Sequence, residues 1–354
     1  MKILIDIKHP AQLNLFKGLA RELQNEGWKV TISYLRRGKI ARIIDKEYYE
    51  FEDLVCIGES NGTKWSIIWQ GNIKRTVDFL KLIFREKYNI TIAASSIPLA
   101  FASHFTSTPI IQFYDDPERK GVNRINSWLS TKLFFPAIIK KSKKIGTFNC
   151  LKEWSYLSPA RFTPNEKVLQ EYNLKAHDYI FIREVSNKSF NYFNQQESIV
   201  GSIANEITPN TKVILSLEDK YTAHRYPSDW IILQEPVSDI HSLIYYSKLV
   251  ISSGDSMARE GAMLGVNSVY CGIRNMKAND ILINKVLLHH KPGKAAVDFI
   301  NDIISKPFDT NNQNEIRKEL KNEWDDMIDF MKKQIYTYMK RERFAIKETY
   351  SPAN

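Results

Sequence analysis

Residues Leu249 to Cys271 constrain this chain more than any other stretch. They run as an apolar strand, a Ser-Ser-Gly-Asp-Ser turn, a helix opening with Met257-Ala258-Arg259-Glu260, and a second strand. A helix that starts just after a strand leaves backbone N–H groups and the positive end of a macrodipole at the carboxyl edge of the sheet. An anion fits there. Gly254 allows close backbone approach, Asp255 or Ser256 can cap the helix, and Glu260 stands about one turn in, within reach of a sugar hydroxyl beside a bound phosphate. A nucleotide diphosphate is the guest this chemistry favours, although an ordinary capped strand-turn-helix carries the same signature.

The alternation extends along the whole chain. Ile3 to Ile7 reads as a buried strand, and Leu13, Leu15, Phe16, Leu19, Ala20 and Leu23 follow at helical spacing until Gly27. Strands are predicted at Lys29 to Tyr34, Ile90 to Ala94, Ile110 to Phe113 and Lys144 to Phe148, with helices at Ile73 to Lys87 and Pro98 to Phe105. A second series begins at Tyr179 to Ile182 and continues through Val213 to Leu217, Ile231 to Gln234, Leu249 to Ser252 and Ser268 to Cys271, ending near Ile300. At 354 residues the chain exceeds what one core usually serves, and a 43% apolar fraction permits two. The turn-rich segment Ser158 to Asn173 reads as the connection, predicting domains 1–173 and 174–354. Both are α/β and doubly wound, Rossmann-like sheets facing across a cleft. Apolar residues from Ile316 to Ile335 recur every three or four positions and predict one long terminal helix in the second domain.

The formal charge of +10 lies entirely in the first half: residues 1–150 hold 24 Lys and Arg against 14 Asp and Glu, and the remainder holds 26 against 26. That asymmetry points to an acidic partner for the first half, with an anionic membrane surface among the choices. Lys64 to Lys87, with Trp65, Trp69, Phe79 and Phe84, and Lys132 to Lys144, with Phe134 and Phe135, are the candidate contacts; aromatics in the core under a solvated lysine face would give the same pattern. No apolar run approaches the roughly 18 residues of a membrane span, and the opening residues read as a strand rather than a signal peptide. A cytoplasmic location is expected, with association on the cytoplasmic face of the membrane. Cys56, Cys150 and Cys271 stand far apart and read as small buried hydrophobes. His289-His290 has no carboxylate or cysteine at ligand spacing, so no metal site and no resident cofactor are expected. Lys8-His9-Pro10-Ala11 replaces the glycine-rich turn of a dinucleotide site, and no nucleic-acid recognition module is visible.

Laid out this way, the chain resembles a family of predicted glycosyltransferases with the GT-B fold. That family is itself similar to the lipid-linked peptidoglycan N-acetylglucosaminyltransferase and the non-hydrolysing UDP-N-acetylglucosamine 2-epimerases. The matching stretches are Ile5-Asp6-Ile7 with His9-Pro10-Ala11 and Leu15-Phe16-Lys17; Lys152 to Leu157; Ile182-Arg183 with Val185-Ser186; and Asp239 to Tyr246 leading into Gly254 to Gly265. The resemblance implies a nucleotide sugar as co-substrate on the second domain, with Glu260 on the ribose hydroxyls and Ser253, Gly254, Asp255, Ser256 and Met257 around the diphosphate. Arg183 would add the cationic contact a leaving diphosphate needs, or else pair with Glu184 at the surface. The base would lie along Glu235 to Ile240, and His241 begins a helix. On the first domain the resemblance implies an acceptor site for a glycan or lipid-linked molecule, and Pro10, Gln12, Asn14 and Ser95 are candidate contacts to the acceptor or the sugar. Gln12 and Asn14 stand where the family commonly has histidines, and Asn191-Tyr192 where it has a His-Asp pair.

Transfer from such a donor requires a group that takes the acceptor proton. His9, Asp115, Asp116 and Glu118 lie in loops at strand ends. The two adjacent aspartates can act as a coupled base, while Asp116 ahead of Pro117 is equally turn chemistry. Ser95-Ser96 reads as a helix cap or as hydroxyls offered to a sugar. A metal-independent transferase is expected, with a sugar-nucleotide epimerase or a non-catalytic nucleotide-sugar binder as alternatives.

Overall fold

The computed structural model describes residues 1–36, 40, 43–44, 51, 53–59, 69–187, 192, 194–207, 211–234, 237 and 239–349. The chain forms two compact units, Met1–Tyr156 together with Trp324–Asn354, and Leu157–Glu323. No described helix is long and apolar enough to cross a membrane.

The first unit is built on a seven-stranded sheet of β1 (Lys2–Ile7), β2 (Lys29–Arg36), β3 (Asp53–Glu59), β4 (Ile90–Ala93), β5 (Ile110–Phe113), β6 (Lys132–Pro136) and β7 (Ile145–Phe148), in the order β3-β2-β1-β4-β5-β6-β7. Every pairing is parallel. Both faces of such a sheet are covered, so its strands read as unbroken apolar runs. The run Ile3–Ile7 is fully buried throughout, and Asp6 is its one polar member. Two strands, β3 and β6, go beyond the sequence expectation. Lys132 to Lys144 reads as a basic-aromatic surface segment, but Phe134 and Phe135 are buried side chains of β6 and therefore core. Cys56 is exposed on β3, whereas Cys150 and Cys271 are buried as expected.

One charged group is buried at the centre of this unit. Asp6 on β1 pairs with Arg75, which opens the helix Arg75–Glu86, at 2.5 Å, and neither side chain reaches solvent. Asp6 also accepts from Ser33 Oγ at 3.1 Å and Ser96 Oγ at 2.6 Å, while Arg75 Nε donates to the Ile57 carbonyl at 2.8 Å. The cluster thereby joins β1, β2, β3 and the turn after β4 around one ion pair.

The terminal helix predicted as one piece is two, Thr310–Glu323 and Met327–Thr349. Asp326 breaks it, its carboxylate accepting the N–H groups of Ile328 and Asp329 at 2.9 and 3.0 Å as an N-cap. The second piece spends its apolar face on the first unit. Phe330 meets Phe113 and Phe134 edge-on and Lys332 pairs with Glu22, while Trp324, in the break before the helix, meets Trp154. The helix expected to complete the second domain therefore packs within the first unit.

The second unit carries β8 (Tyr179–Glu184), β9 (Lys212–Leu217), β10 (Ile231–Ile232), β11 (Leu249–Ser252), β12 (Asn267–Tyr270) and β13 (Leu288–His290), in the order β10-β9-β8-β11-β12-β13. These pairings are parallel too. His289 and His290 lie on β13, where His290 bonds the Gly272 carbonyl and His289 packs on Phe299. In each unit the strand order reverses once, between β1 and β4 and between β8 and β11. Ligands of open parallel sheets bind at the carboxyl ends of such strand pairs.

Candidate functional site

In the second unit Ser252 is in register with Arg183, so both strands leave the sheet together at the reversal point. Backbone bonds lock the two exits: Ser253 N–H donates to the Arg183 carbonyl at 3.0 Å, and Val185 N–H donates to Ser253 Oγ at 2.9 Å. Gly254 then caps the helix Asp255–Met263 in an extended conformation, its N–H on Ser252 Oγ. Here glycine is required by space. A Cβ would stand 2.6 Å from Val185 Cγ1, a branched side chain with little freedom to retreat. Gly261 likewise brings the helix onto the sheet, since its Cβ would stand 2.8 Å from Val250.

The expected caps, Asp255 and Ser256, are displaced by Gly254. Asp255 turns inward instead, accepting from buried Arg259 at 2.9 Å and from the Tyr192 hydroxyl, with Arg274 at 3.8 Å. Arg259 also donates to Asn279 at 2.9 Å. Of the two residues standing where the family pattern has a His-Asp pair, Tyr192 thus donates to Asp255, and Asn191 lies outside the described residues. Ser256 and Met257 are the half-exposed members of the turn, and Ser253, Gly254 and Asp255 are buried. The helix start still presents the first-turn N–H groups that no helix satisfies internally.

Glu260, one turn further, is buried with its carboxylate 3.6 Å from His241 Nε2. His241 sits in the first turn of the helix Ile240–Tyr245, which Asp239 caps. Arg183 donates to Ser216 Oγ at 2.9 Å and pairs with Glu218 at 3.3 Å. Glu184 is therefore not its partner. That carboxylate is buried and accepts from Val200 N–H, Gly201 N–H and the Tyr226 hydroxyl. Of the stretch Glu235 to Ile240, positions 235, 236 and 238 lie outside the described residues.

Burial pushes the Glu184 carboxyl above its usual range, against the hydrogen bonds that hold it down. A raised folded pKa means the fold binds a proton that the unfolded chain releases, so stability falls as pH rises from about 4.5 through the folded value. Glu184→Gln keeps an acceptor for the three donors and removes the charge. Urea titrations are expected to show the variant more stable than the parent at pH 7 and flatter between pH 4 and 7; an unchanged slope would assign that pH dependence elsewhere.

In the first unit the reversal point gathers His9, Pro10, Gln12 and Ser95. His9 is exposed and caps the helix Pro10–Asn25, Nδ1 accepting the Ala11 N–H at 3.2 Å, and Pro10 takes the first helical position. Gln12 is a tie between strand ends, accepting from Lys8 N–H at 2.7 Å and donating to the Ala94 carbonyl at 2.8 Å. Ser95 is buried in a left-handed conformation with φ of 62°, its carbonyl taken by Lys8 Nζ at 2.6 Å. Ser96 sits at the cap of Ile97–Phe105 but sends its hydroxyl to Asp6. Asn14 is half-buried on the first helix. After β5, Asp115 pairs with Lys152 Nζ at 2.6 Å, the buried Asp116 holds Asn123 through its carbonyl, and Glu118 is exposed. Lys8, Lys152, Arg259 and Arg274 carry no role in the sequence analysis. Lys8 and Arg274 share the one signal available, a cation just beyond a strand's carboxyl end.

An uncharacterized protein of Methanocaldococcus jannaschii, MJ0665, is 22% identical over 322 residues, covering 86% of this chain and 92% of its own length. The UDP-GlcNAc 2-epimerase of Methanocaldococcus jannaschii in complex with UDP-GlcNAc and UDP superposes with a TM-score of 0.63 at 14% identity, over 89% of this chain and 98% of the other. The glycosyltransferase VinC in complex with dTDP gives 0.65 at 9% identity, over 96% and 100%. The fold is the GT-B type, two Rossmann-like domains, as the sequence resemblance implied. With a family model matching residues 1–340, this chain belongs to the family described as protein of unknown function (DUF354).

Proposed function

We propose that the protein is a metal-independent glycosyltransferase that moves a sugar from a UDP-linked donor to a cell-surface glycan or lipid-linked acceptor. The observation that carries this reading is the convergence, at the β8/β11 reversal point, of Arg183, a Gly254-capped helix start and the buried Glu260. Arg183 and the helix dipole would offset charge developing on the departing diphosphate, and they are placed before reaction begins. Glu260, steadied by His241, would accept hydrogen bonds from ribose hydroxyls.

The acceptor proton needs a base, and the cap restricts His9. A neutral ring that accepts at Nδ1 carries its proton on Nε2, so His9 in this conformation is a donor to the acceptor hydroxyl. Asp115 and Asp116 are left to take the proton, with Lys152 setting the charge beside the first. Epimerisation is the second reading, supported by the epimerase among the fold relatives. Incubating the enzyme with UDP-GlcNAc alone separates the two, because an epimerase yields the epimer without any acceptor.

Thermal shift tests the donor site directly. UDP at about 100 times its Kd is expected to add roughly 2.7 kcal/mol to stability, and Glu260→Ala to abolish that gain. Stabilisation by NAD(P) alone would overturn the reading.

A further inference from the structure

Most large apolar side chains left exposed among the described residues lie on one part of the first unit. Val77 and Phe84 are two turns apart on the helix Arg75–Glu86, with Ile73 just before it; Phe105 ends Ile97–Phe105; Ile125 and Trp128 share a face of Lys120–Leu129. The helix Ile97–Phe105 packs between the other two, so the three form one layer. Phe105 stacks on Phe101 and meets His104, which in turn meets Trp128 at 5.6 Å, making the aromatics continuous across two helices. Phe84, Phe105 and Trp128 are 65%, 68% and 67% exposed. The opposite faces of these helices supply Phe79, Leu82, Leu99 and Leu129 to the core, so the outer residues are surplus to folding.

Charge says what covers this surface. Apart from the buried Arg75, residues 72–87 and 119–129 hold seven Lys and Arg against two Asp and Glu, and Lys74, Lys81, Lys120 and Arg124 are exposed. Exposed aromatic and aliphatic side chains interleaved with cations suit the headgroup boundary of an anionic bilayer, where rings sit among acyl carbons and ammonium groups meet lipid phosphates. We propose that this three-helix face docks the protein on an anionic membrane surface. The segment Lys132 to Lys144 has no apolar part in it, because Phe134 and Phe135 are core. Lys64 and Trp65 lie outside the described residues.

The test is sedimentation of the full chain with vesicles of pure phosphatidylcholine and of phosphatidylcholine mixed with phosphatidylglycerol. Binding is expected to the mixed vesicles only. It should fall at about 1 M salt, where the Debye length is near 3 Å, and by about tenfold or more in Phe105→Glu with Trp128→Glu. Tyr221→Glu, a control on the second unit, should bind like the parent. Hydrogen-exchange protection of β1 and β4 is expected intact in the double variant, which shows its first unit folded without calling on the donor-site reading. Absence of binding to mixed vesicles, full binding by the double variant, or a dimer of the parent that the double variant abolishes would each overturn the proposal.

Discussion

Arg75→Ala is expected to destabilise the first unit by about 3–5 kcal/mol, because it strands the Asp6 carboxylate in a site without solvent. The loss would reach several elements at once. Asp6 is held by side chains from β2 and the turn after β4, and Arg75 reaches back to the Ile57 carbonyl on β3, so the pair ties together segments 69 residues apart. Hydrogen exchange reports this locally, which matters in a chain of two units that need not unfold together. Amides of β1 and β4 should lose protection while those of β8 and β11 keep theirs. Replacing both partners, Asp6→Leu with Arg75→Met, should recover part of the loss, since a buried pair is costly chiefly when half of it is removed. A cost below about 1 kcal/mol for Arg75→Ala would mean that water reaches Asp6 and that the cluster does not organise the sheet.

Arg183→Ala is expected to weaken UDP binding between about ten- and a hundredfold, the usual range for losing a hydrogen bond to a charged group. Isothermal titration measures it without knowledge of the acceptor. The arginine is pre-aimed by Ser216 and Glu218, so Arg183→Lys, which lacks the planar fork, should recover only part of the affinity. Glu218→Gln offers a further check. It removes the competing carboxylate while leaving an acceptor, so UDP affinity should hold or rise. An unchanged Kd in Arg183→Ala would confine the residue to the Glu218 pair and move the cationic contact to another group, such as Arg274, which is half-buried and 3.8 Å from Asp255 at the helix start.

Much of the fold was legible because parallel strands buried on both faces leave continuous apolar runs, and the runs at Ile3, Ile90, Ile110, Tyr179, Val213 and Leu249 are each a strand in the structure. The reversal points explain why residues chosen from strand ends fall together: Arg183 and Ser253 are sequence neighbours of β8 and β11, and the sheet order makes them spatial neighbours. Side-chain partners were less accessible. Asp255 has the sequence signature of a cap, and only packing shows it turned toward Arg259 and Tyr192. Arg183 beside Glu184 suggests a pair, yet adjacent residues of a strand point to opposite faces.

The sequence by itself determined the two alternating α/β series, most of their strands, and the strand-turn-helix after β11, because local propensity and apolar periodicity act over a few residues. Only the tertiary structure decided which polar groups meet across 63 or 69 residues, that Phe134 and Phe135 are core while Phe84 is surface, and that the last helix returns to the first unit. Those outcomes depend on which surfaces exclude water together, a property of the assembled layers that no window of sequence contains.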